Sequence, residues 1–175
     1  EESQEEIEEV ISNADMVFIT CGLGGGTGTG AAPIVAELAK NRDILTIAVV
    51  TKPFTFEGSK RKEIAEAGYE NLKDKVDAII SVQNDRILQI IDKKTSLIDA
   101  FKTVDEVLRQ GIAGISDLIT THGVVNADFA DIRTIMQDAG TAMMGIGRAS
   151  GEGRAEIAAK AAVNSPLLDM TIDGA

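Results

Sequence analysis

Apolar residues along the chain fall into short continuous runs separated by stretches with helical spacing. The runs at 15–20, 44–50 and 76–82 predict three buried strands, because a strand covered on both faces of a parallel sheet shows little polar alternation. The helical spacing predicts helices over 31–40 and 59–72 between them. Strands and helices that alternate in this way form βαβ units. The chain is therefore predicted to be an α/β protein with a doubly wound, mainly parallel sheet.

Further helices are predicted on both sides of this core. They cover about residues 1–13, 85–91, 96–120, 126–140 and 150–164, and 141–148 is β-like. The run 96–120 holds its apolar residues in one helical stripe but includes Gly111 and Gly114, which lower helix propensity. We interpret it as one long core helix rather than a helix pair.

A glycine-rich loop, Gly22–Gly30, joins the first strand to the next helix. In a strand–loop–helix unit, the free backbone N–H groups and the positive helix end point toward an anion. Thr27 and Thr29 are expected to add hydroxyl donors and to cap the helix, and Pro33 is expected in its first turn. A flexible linker is the alternative, but a linker is not expected between a buried strand and an apolar helix. The stretch is interpreted as a nucleotide-binding loop.

The residues in and around this loop exclude some classes of nucleotide-binding loop and favour another. The P-loop pattern is absent, because no lysine follows the glycines before Lys40. A dinucleotide pattern is present from Gly26 to Ala31, but Thr51 stands where the acidic ribose ligand is expected. The sequence Gly-Gly-Gly-Thr-Gly-Thr-Gly over 24–30 instead resembles the G-G-G-T-G-[ST]-G signature of the tubulin/FtsZ superfamily.

Nearly the whole chain resembles the FtsZ branch of this superfamily, the bacterial and archaeal cell-division GTPases. The resemblance implies a partial nucleotide-binding domain at 1–120, and the synergy loop with the start of an incomplete second domain at 121–175. An amino-terminal strand with its own glycine loop and a carboxy-terminal sheet domain are expected outside these residues. We expect the 175-residue piece alone to bind GTP weakly, with weak or absent GTPase activity.

The resemblance also implies a role for each matching residue. The GTP phosphates would be held by Gly24, Gly25, Gly26, Thr27, Gly28, Thr29 and Gly30, and the ribose and phosphate side would be lined by Thr51, Pro53, Glu57 and Arg61. Guanine would be contacted by Asn84, Phe101 and Asp105, with Phe101 stacking and Asp105 accepting the N–H donors of the base. Each residue alone has an ordinary explanation, such as a core aromatic or a surface ion pair, and their joint placement around one crevice favours the site.

A second set of residues is Asn126-x-Asp128-x-x-Asp131. An ordinary helix cap by Asn126 or Asp128 explains this spacing well. By resemblance it is the synergy loop, whose Asp128 and Asp131 would act on the attacking water in the next subunit, with Mg²⁺ offsetting the phosphate charge. A helix of twenty-odd residues, about 35 Å long, would separate these residues from the nucleotide. The two halves therefore meet only through head-to-tail association, which produces an open filament.

The composition limits the classes of partner. The net charge is −11 with a pI of about 4.5, which argues against a nucleic-acid groove or an anionic membrane surface. The lone Cys21 gives no disulfide framework, and no apolar run is long enough to cross a membrane.

The leading hypothesis is a cytoplasmic GTPase that binds GTP or GDP and Mg²⁺ and polymerises with itself into the division ring at mid-cell. By resemblance, regulators and membrane anchors would bind through a tail outside this sequence. The alternatives are a non-hydrolysing tubulin-like scaffold and, disfavoured by Thr51, a dinucleotide oxidoreductase.

Overall fold

The computed structural model describes residues 3–92, 95–120, 128–142, 145 and 147–165. Within them, four parallel strands form one sheet in the order β1-β2-β3-β4. The strands are β1 (Met16–Gly22), β2 (Leu45–Lys52), β3 (Ala78–Gln83) and β4 (Gly140–Thr141). The predicted parallel α/β architecture is confirmed. All strands point the same way, so the sheet has a carboxyl edge, where strands end, and an amino edge, where they begin.

The helices of the described residues follow the predicted order. They are α1 (Gln4–Ile11), α2 (Gly26–Lys40), α3 (Ser59–Lys73), α4 (Asn84–Ile90), α5 (Leu97–Thr120), α6 (Phe129–Met136) and α7 (Arg154–Val163), with a 3₁₀ turn at Thr55–Glu57. The long helix is continuous over 24 residues, as predicted, despite its two glycines.

The sheet is covered on both faces, which explains the unbroken apolar run of β2. Ile47 and Val49 point into a core shared with α5 and α6, whereas Ala48 and Val50 point into a core shared with α2 and α3. Each of these side chains is fully buried. The alternation of faces along the strand is therefore real, but both faces select apolar residues.

Helix α5 runs from the carboxyl edge of the sheet to the amino edge. Near its start, Val104 packs in a cluster with Phe54 and Val82, which lie at or beyond the carboxyl ends of β2 and β3. Near its end, Ile115 packs in a cluster with Leu45, the first residue of β2. The carboxyl end of α5 therefore lies at the amino edge.

Two helix boundaries differ from the sequence-based expectation. Helix α2 begins at Gly26, so Pro33 lies in the helix interior and not in its first turn. Its ring is fully buried, and burial of the ring compensates in part for the hydrogen bond that proline cannot donate. Helix α6 ends at Met136 and does not reach Gly140, because the backbone becomes extended at Gln137 and left-handed at Asp138, with φ 52°. In 141–148, the strand reaches only Thr141 among the described residues.

Asp77 ties three segments together at the amino edge. Its buried carboxylate accepts the backbone N–H of Thr46 at 2.8 Å and that of Asp138 at 3.4 Å, and its own carbonyl accepts the N–H of Gly140 at 2.9 Å. The side chain therefore joins β2, β3 and the segment leading into β4.

We expect Asp77→Ala to lower the free energy of unfolding by about 1–3 kcal/mol, because the buried N–H of Thr46 loses its acceptor. At this chain length, that loss corresponds to a melting temperature lower by roughly 2–12 °C in calorimetry. Asp77→Asn keeps an acceptor oxygen and should lose less, and Asp74→Ala, which removes an exposed carboxylate nearby, is the control. Equal melting temperatures for Asp77→Ala and the control would contradict this role.

No helix among the described residues is long and apolar enough to cross a membrane.

Candidate functional site

The glycine loop lies at the carboxyl edge, between the end of β1 and the start of α2. Gly24 has φ 95°, a conformation that favours glycine, and Gly25 is the extended N-cap residue of α2. No side chain among the described residues caps this helix. The expectation that Thr27 or Thr29 caps it is therefore wrong. The first backbone N–H groups of α2 are available to an anion, whereas Gly30 lies beyond them, one turn into the helix.

Thr29 and Cys21 fix the shape of the loop from inside. The N–H of Gly24 donates to Thr29 Oγ1 at 2.9 Å, which closes the loop on itself. Cys21 Sγ donates to the carbonyl of Gly28 at 3.7 Å, and burial raises the pKa of this thiol. The first turn is held by its own chain and does not depend on a ligand for its shape.

The space available for a side chain differs among three glycines of the loop. A Cβ at Gly28 would meet the carbonyl oxygen of Gly22 at 2.6 Å, and one at Gly24 would meet that of Arg61 at 2.8 Å. Gly26 has open space within 4 Å and no positive φ. Packing within the described chain therefore explains Gly24 and Gly28 but not Gly26, which opens α2.

Arg61 and Glu57 lie beside the loop. The Cγ of Arg61 is 2.9 Å from where a Cβ of Gly24 would stand, and its Nη1 pairs with Glu57 Oε2 at 3.2 Å. Glu57 Oε1 also accepts the N–H of Phe54 at 2.8 Å. The predicted phosphate-side residues Glu57 and Arg61 are thus joined to each other and to the glycine loop.

The loops after β2 and β3 meet at the same edge. Thr51 is buried, and its carbonyl accepts the N–H of Leu23 at 2.9 Å. Pro53, two residues further along, is half-buried. Asp85 accepts the N–H of Thr55 at 2.9 Å and also its hydroxyl. Asn84 is 4% exposed, and its Oδ1 has no hydrogen-bond partner among the described residues. A buried amide oxygen without a donor is costly, so its position suits a ligand that brings N–H groups.

Phe101 and Asp105 lie one turn apart on α5, with their side chains exposed at this edge. The ring of Phe101 is 39% exposed and meets the buried ring of Phe54 edge-on, at 5.2 Å between centroids. Phe56 stacks on the other side of Phe54 at 4.8 Å. Phe101 therefore has a supported ring with a face left for a planar partner.

Two carboxylates near Asp105 on α5, those of Asp99 and Glu106, stay ionised, and each pairs with a cation of the same helix. Hydrogen bonds from Arg109 and Gln110 lower the pKa of Glu106 to about 2, and hydrogen bonds from Ser96 and Lys102 lower the pKa of Asp99. Both side chains are exposed to solvent, so these pKa shifts describe the charge of the two groups and are not converted into stability.

Asp128 and Asp131 lie far from the glycine loop. Asp128 caps α6 by accepting the N–H of Asp131 at 2.9 Å, and Asp131 accepts the N–H of Asp128 at 3.3 Å, which is a reciprocal capping box. Arg133 pairs with Asp43 at 2.7 Å, just before β2 begins, so α6 lies at the amino edge. Both carboxylates are exposed, and Asn126 lies outside the described residues.

Sequence reasoning missed two supporting contacts. A Cβ at Gly68, in the middle of α3, would overlap Thr29, so this glycine lets α3 pack against the loop. A glycine inside a predicted helix was the available signal. The loops that carry Thr55 and Asp85 were predicted to converge at the ends of their strands, but the hydrogen bonds between these two residues had no signal in the sequence.

A cavity of about 970 Å³ lies elsewhere, between α5 and α7. It is lined by Arg109, Asp117, Gly145, Gly147, Ala158 and Ala162, among others. None of the predicted site residues lines it, so it is separate from the crevice at the carboxyl edge.

Two family models match the chain. Residues 1–92 match the Tubulin/FtsZ family, GTPase domain, and residues 140–175 match the FtsZ family, C-terminal domain. The first covers the glycine loop and the strands around it, and the second begins at β4.

Nearly the whole chain matches parts of solved structures. An empty FtsZ dimer and an FtsZ W319Y mutant, both from M. jannaschii, are each 50% identical with a TM-score of 0.92 and match 99% of this chain. The matches cover 50% and 52% of those chains, so the present chain spans about half their length. CetZ from Methanosaeta thermophila strain DSM 6194 matches 98% of this chain and 50% of its own at 20% identity and a TM-score of 0.81, which supports the fold alone.

Proposed function

Because the chain belongs to the Tubulin/FtsZ family, we propose that it binds GTP at the carboxyl edge of its sheet and hydrolyses it in a site completed by a second copy. The proposal combines two sets of residues described above, the crevice around the glycine loop and the carboxylates of α6. The observation that carries it is that these sets lie at opposite edges of one sheet.

The crevice suits a guanine nucleotide at both ends. Uncapped N–H groups at the start of α2, with Arg61 beside them, suit phosphate oxygens. At the other end, the unpartnered Oδ1 of Asn84 and the carboxylate of Asp105 suit the N–H donors of guanine, and the ring of Phe101 suits its face. A bound guanine nucleotide would thus supply acceptors for the free N–H groups of α2, donors for the oxygen of Asn84 and a planar partner for the ring of Phe101.

One chain cannot bring its own α6 carboxylates to its own glycine loop. Strand β2 has eight residues and spans roughly 26 Å between the edges. Asp128 is five residues from Arg133, which is tied to the amino edge, so α6 displaces it by about 8 Å at most. A second copy docked head-to-tail would close this gap, and repetition of that contact gives a filament.

In the shared site, each residue has a limited task. Asp128 and Asp131 would orient or deprotonate the attacking water, while the glycine loop and Arg61 hold the phosphates. When bound, Mg²⁺ would offset phosphate charge. Among the described residues, no group of three acidic, His or Cys side chains could hold a metal.

Turnover per chain, measured against protein concentration in the intact protein, tests this function. A site shared between copies predicts that phosphate release per chain rises with concentration and then levels off. A rate per chain that is the same at all concentrations would mean that the site is complete in one chain, and would overturn the proposal.

The same samples separate the alternative functions. Assembly with GTP but without phosphate release would indicate a non-hydrolysing scaffold. Binding of NADH in preference to GTP would indicate an oxidoreductase. Preference for GTP over ATP is expected, because Asn84 and Asp105 face base N–H donors that adenine presents differently.

Similarity to the FtsZ family also suggests a cellular role for the proposed filament. We expect the filament to act in septation, at a cytoplasmic ring at mid-cell, with regulators and membrane anchors as further partners. Localisation of a fluorescent fusion in dividing cells would test this role.

A further inference from the structure

Two exposed apolar side chains lie beside the two halves of the proposed site. Phe56, at the carboxyl edge, is 56% exposed, and Ile135 on α6, at the amino edge, is 70% exposed. Single exposed apolar residues are common, so exposure alone carries no conclusion. Their placement relative to the charged residues of the site is informative.

Ile135 shares a helix face with the carboxylates of α6. Asp128, Asp131 and Ile135 are spaced by three and then four residues, which puts them in one stripe along the helix. Ile132 borders this stripe and is buried against Leu45 and Ile47, so the stripe runs along the edge of the exposed face of α6. Any surface that approaches Asp131 closely therefore also approaches Ile135.

Phe56 stands beside the glycine loop on a fixed turn. The adjacent Glu57 pairs with Arg61, whose backbone and Cγ contact Gly24. The turn is held by Asp85 on one side, and the ring of Phe56 stacks on buried Phe54. A ring that is already ordered loses little conformational entropy when a partner covers it.

The charges around the two residues are complementary. Lys60, Arg61 and Lys62 are the only run of three basic residues in the sequence, and they occupy the first turn of α3, where the helix dipole disfavours cations. The first turn of α6 carries Asp131, next to its cap Asp128. A basic turn beside Phe56 thus matches an acidic turn beside Ile135.

We propose that Phe56 of one copy packs against Ile135 of the next copy and forms the apolar contact of the head-to-tail interface. The inference rests on the proposed function, because that function brings these two edges together. The contact would seal the shared site against bulk water, and a preordered aromatic ring has the features of an interface hot spot. The occupant of this surface is therefore a second copy of the chain.

The first test measures the critical concentration for assembly by sedimentation of the intact protein with GTP. Phe56→Ala and Ile135→Ala should each raise it about thirtyfold or more, the usual cost of truncating a hot-spot residue. The double variant should be less affected than the product of the single effects, because the two side chains contact each other. Ile34→Ala is the matched control, since Ile34 is 47% exposed in the middle of α2.

The second test is cross-linking between copies. Phe56→Cys and Ile135→Cys proteins are mixed and treated with a short bismaleimide under assembly conditions. A cross-linked dimer should form in the mixture, in excess of either variant alone and of an Ile34→Cys mixture. The parent protein, which retains Cys21, gives the background.

The outcomes distinguish the two proposals. If the parent assembles and hydrolyses GTP but neither residue changes the critical concentration and no specific cross-link forms, this interface contact is wrong and the proposed function stands. If the parent shows no concentration-dependent turnover, the proposed function fails and the contact fails with it. Slow maleimide labelling of Phe56→Cys in dilute protein would show that another part of the same protein covers it, which also overturns the contact.

Discussion

Asp131→Asn should leave GTP binding within about twofold and lower turnover by roughly 10²–10⁴-fold, the usual contribution of a general base. The substitution is chosen because an asparagine oxygen can still accept the N–H of Asp128, so the capping box of α6 is kept. Asp131→Ala would also remove the reciprocal hydrogen bond of the capping box, at a cost of about 0.5–1.5 kcal/mol, and would confuse the two effects. Phosphate release and nucleotide binding are measured on the same protein.

The control for charge at this edge is Asp138→Asn. Asp138 is exposed at the amino edge and pairs with Lys40 at 3.2 Å, and asparagine tolerates its left-handed backbone. Its turnover should match the parent. Equal turnover in Asp131→Asn and the parent would remove Asp131 from the chemistry and leave it only as a member of the capping box.

A second expected result concerns Gly26→Ala. The added methyl group would stand in open space at the start of α2, beside the N–H groups that are proposed to bind phosphate oxygens. We expect GTP affinity to fall roughly 10- to 150-fold, which corresponds to the loss of one charge-assisted hydrogen bond. The melting temperature without nucleotide should stay the same or rise, because alanine is a better helix former than glycine.

Gly28→Ala supplies the contrast. Its Cβ would lie 2.6 Å from the carbonyl oxygen of Gly22 and 3.0 Å from the Cβ of Cys21, so the fold itself should lose about 1–3 kcal/mol. Isothermal titration and calorimetry on both variants separate a ligand-imposed glycine from a packing-imposed one. Affinity of Gly26→Ala within threefold of the parent would show that no phosphate approaches this residue.

The two loss-of-function variants also test the shared site directly. A mixture of Asp131→Asn and Gly26→Ala proteins contains one intact glycine loop and one intact pair of carboxylates, on different chains. At a GTP concentration that does not saturate Gly26→Ala, we expect the mixture to release more phosphate than the sum of the two proteins assayed alone. A mixture as inactive as its components would contradict a site built from two copies.

The sheet was predictable because its signal is local. Each strand is a short apolar run bounded by polar residues, and burial on both faces, as at Ile47 and Ala48, makes the run continuous. Boundaries were less predictable. Helix α2 starts at Gly26 although glycines lower helix propensity, because packing against β1 and α3 outweighs that cost.

The residues of the candidate site could be predicted from the sequence, but the contacts that hold them in place could not. The spacing of the glycine motif and of Phe101 and Asp105 on one helix face is readable from the sequence. The support given by Asp85 to Thr55, and by Gly68 to Thr29, depends on segments that meet only after folding. The capping box of Asp128 and Asp131 shows that the ordinary explanation and the proposed catalytic one apply to the same atoms.

The placement of the glycine loop and α6 at opposite edges of the sheet makes the two ends of the proposed filament chemically unequal. The terminal subunit whose glycine loop faces solvent receives no carboxylates from a neighbour, so its GTP persists. At the other end, the terminal subunit presents carboxylates that have no phosphate to act on. In such a filament, hydrolysis of a bound nucleotide would begin only after the next subunit has docked and covered it. The time since docking would therefore set how much of the GTP in each subunit has been hydrolysed.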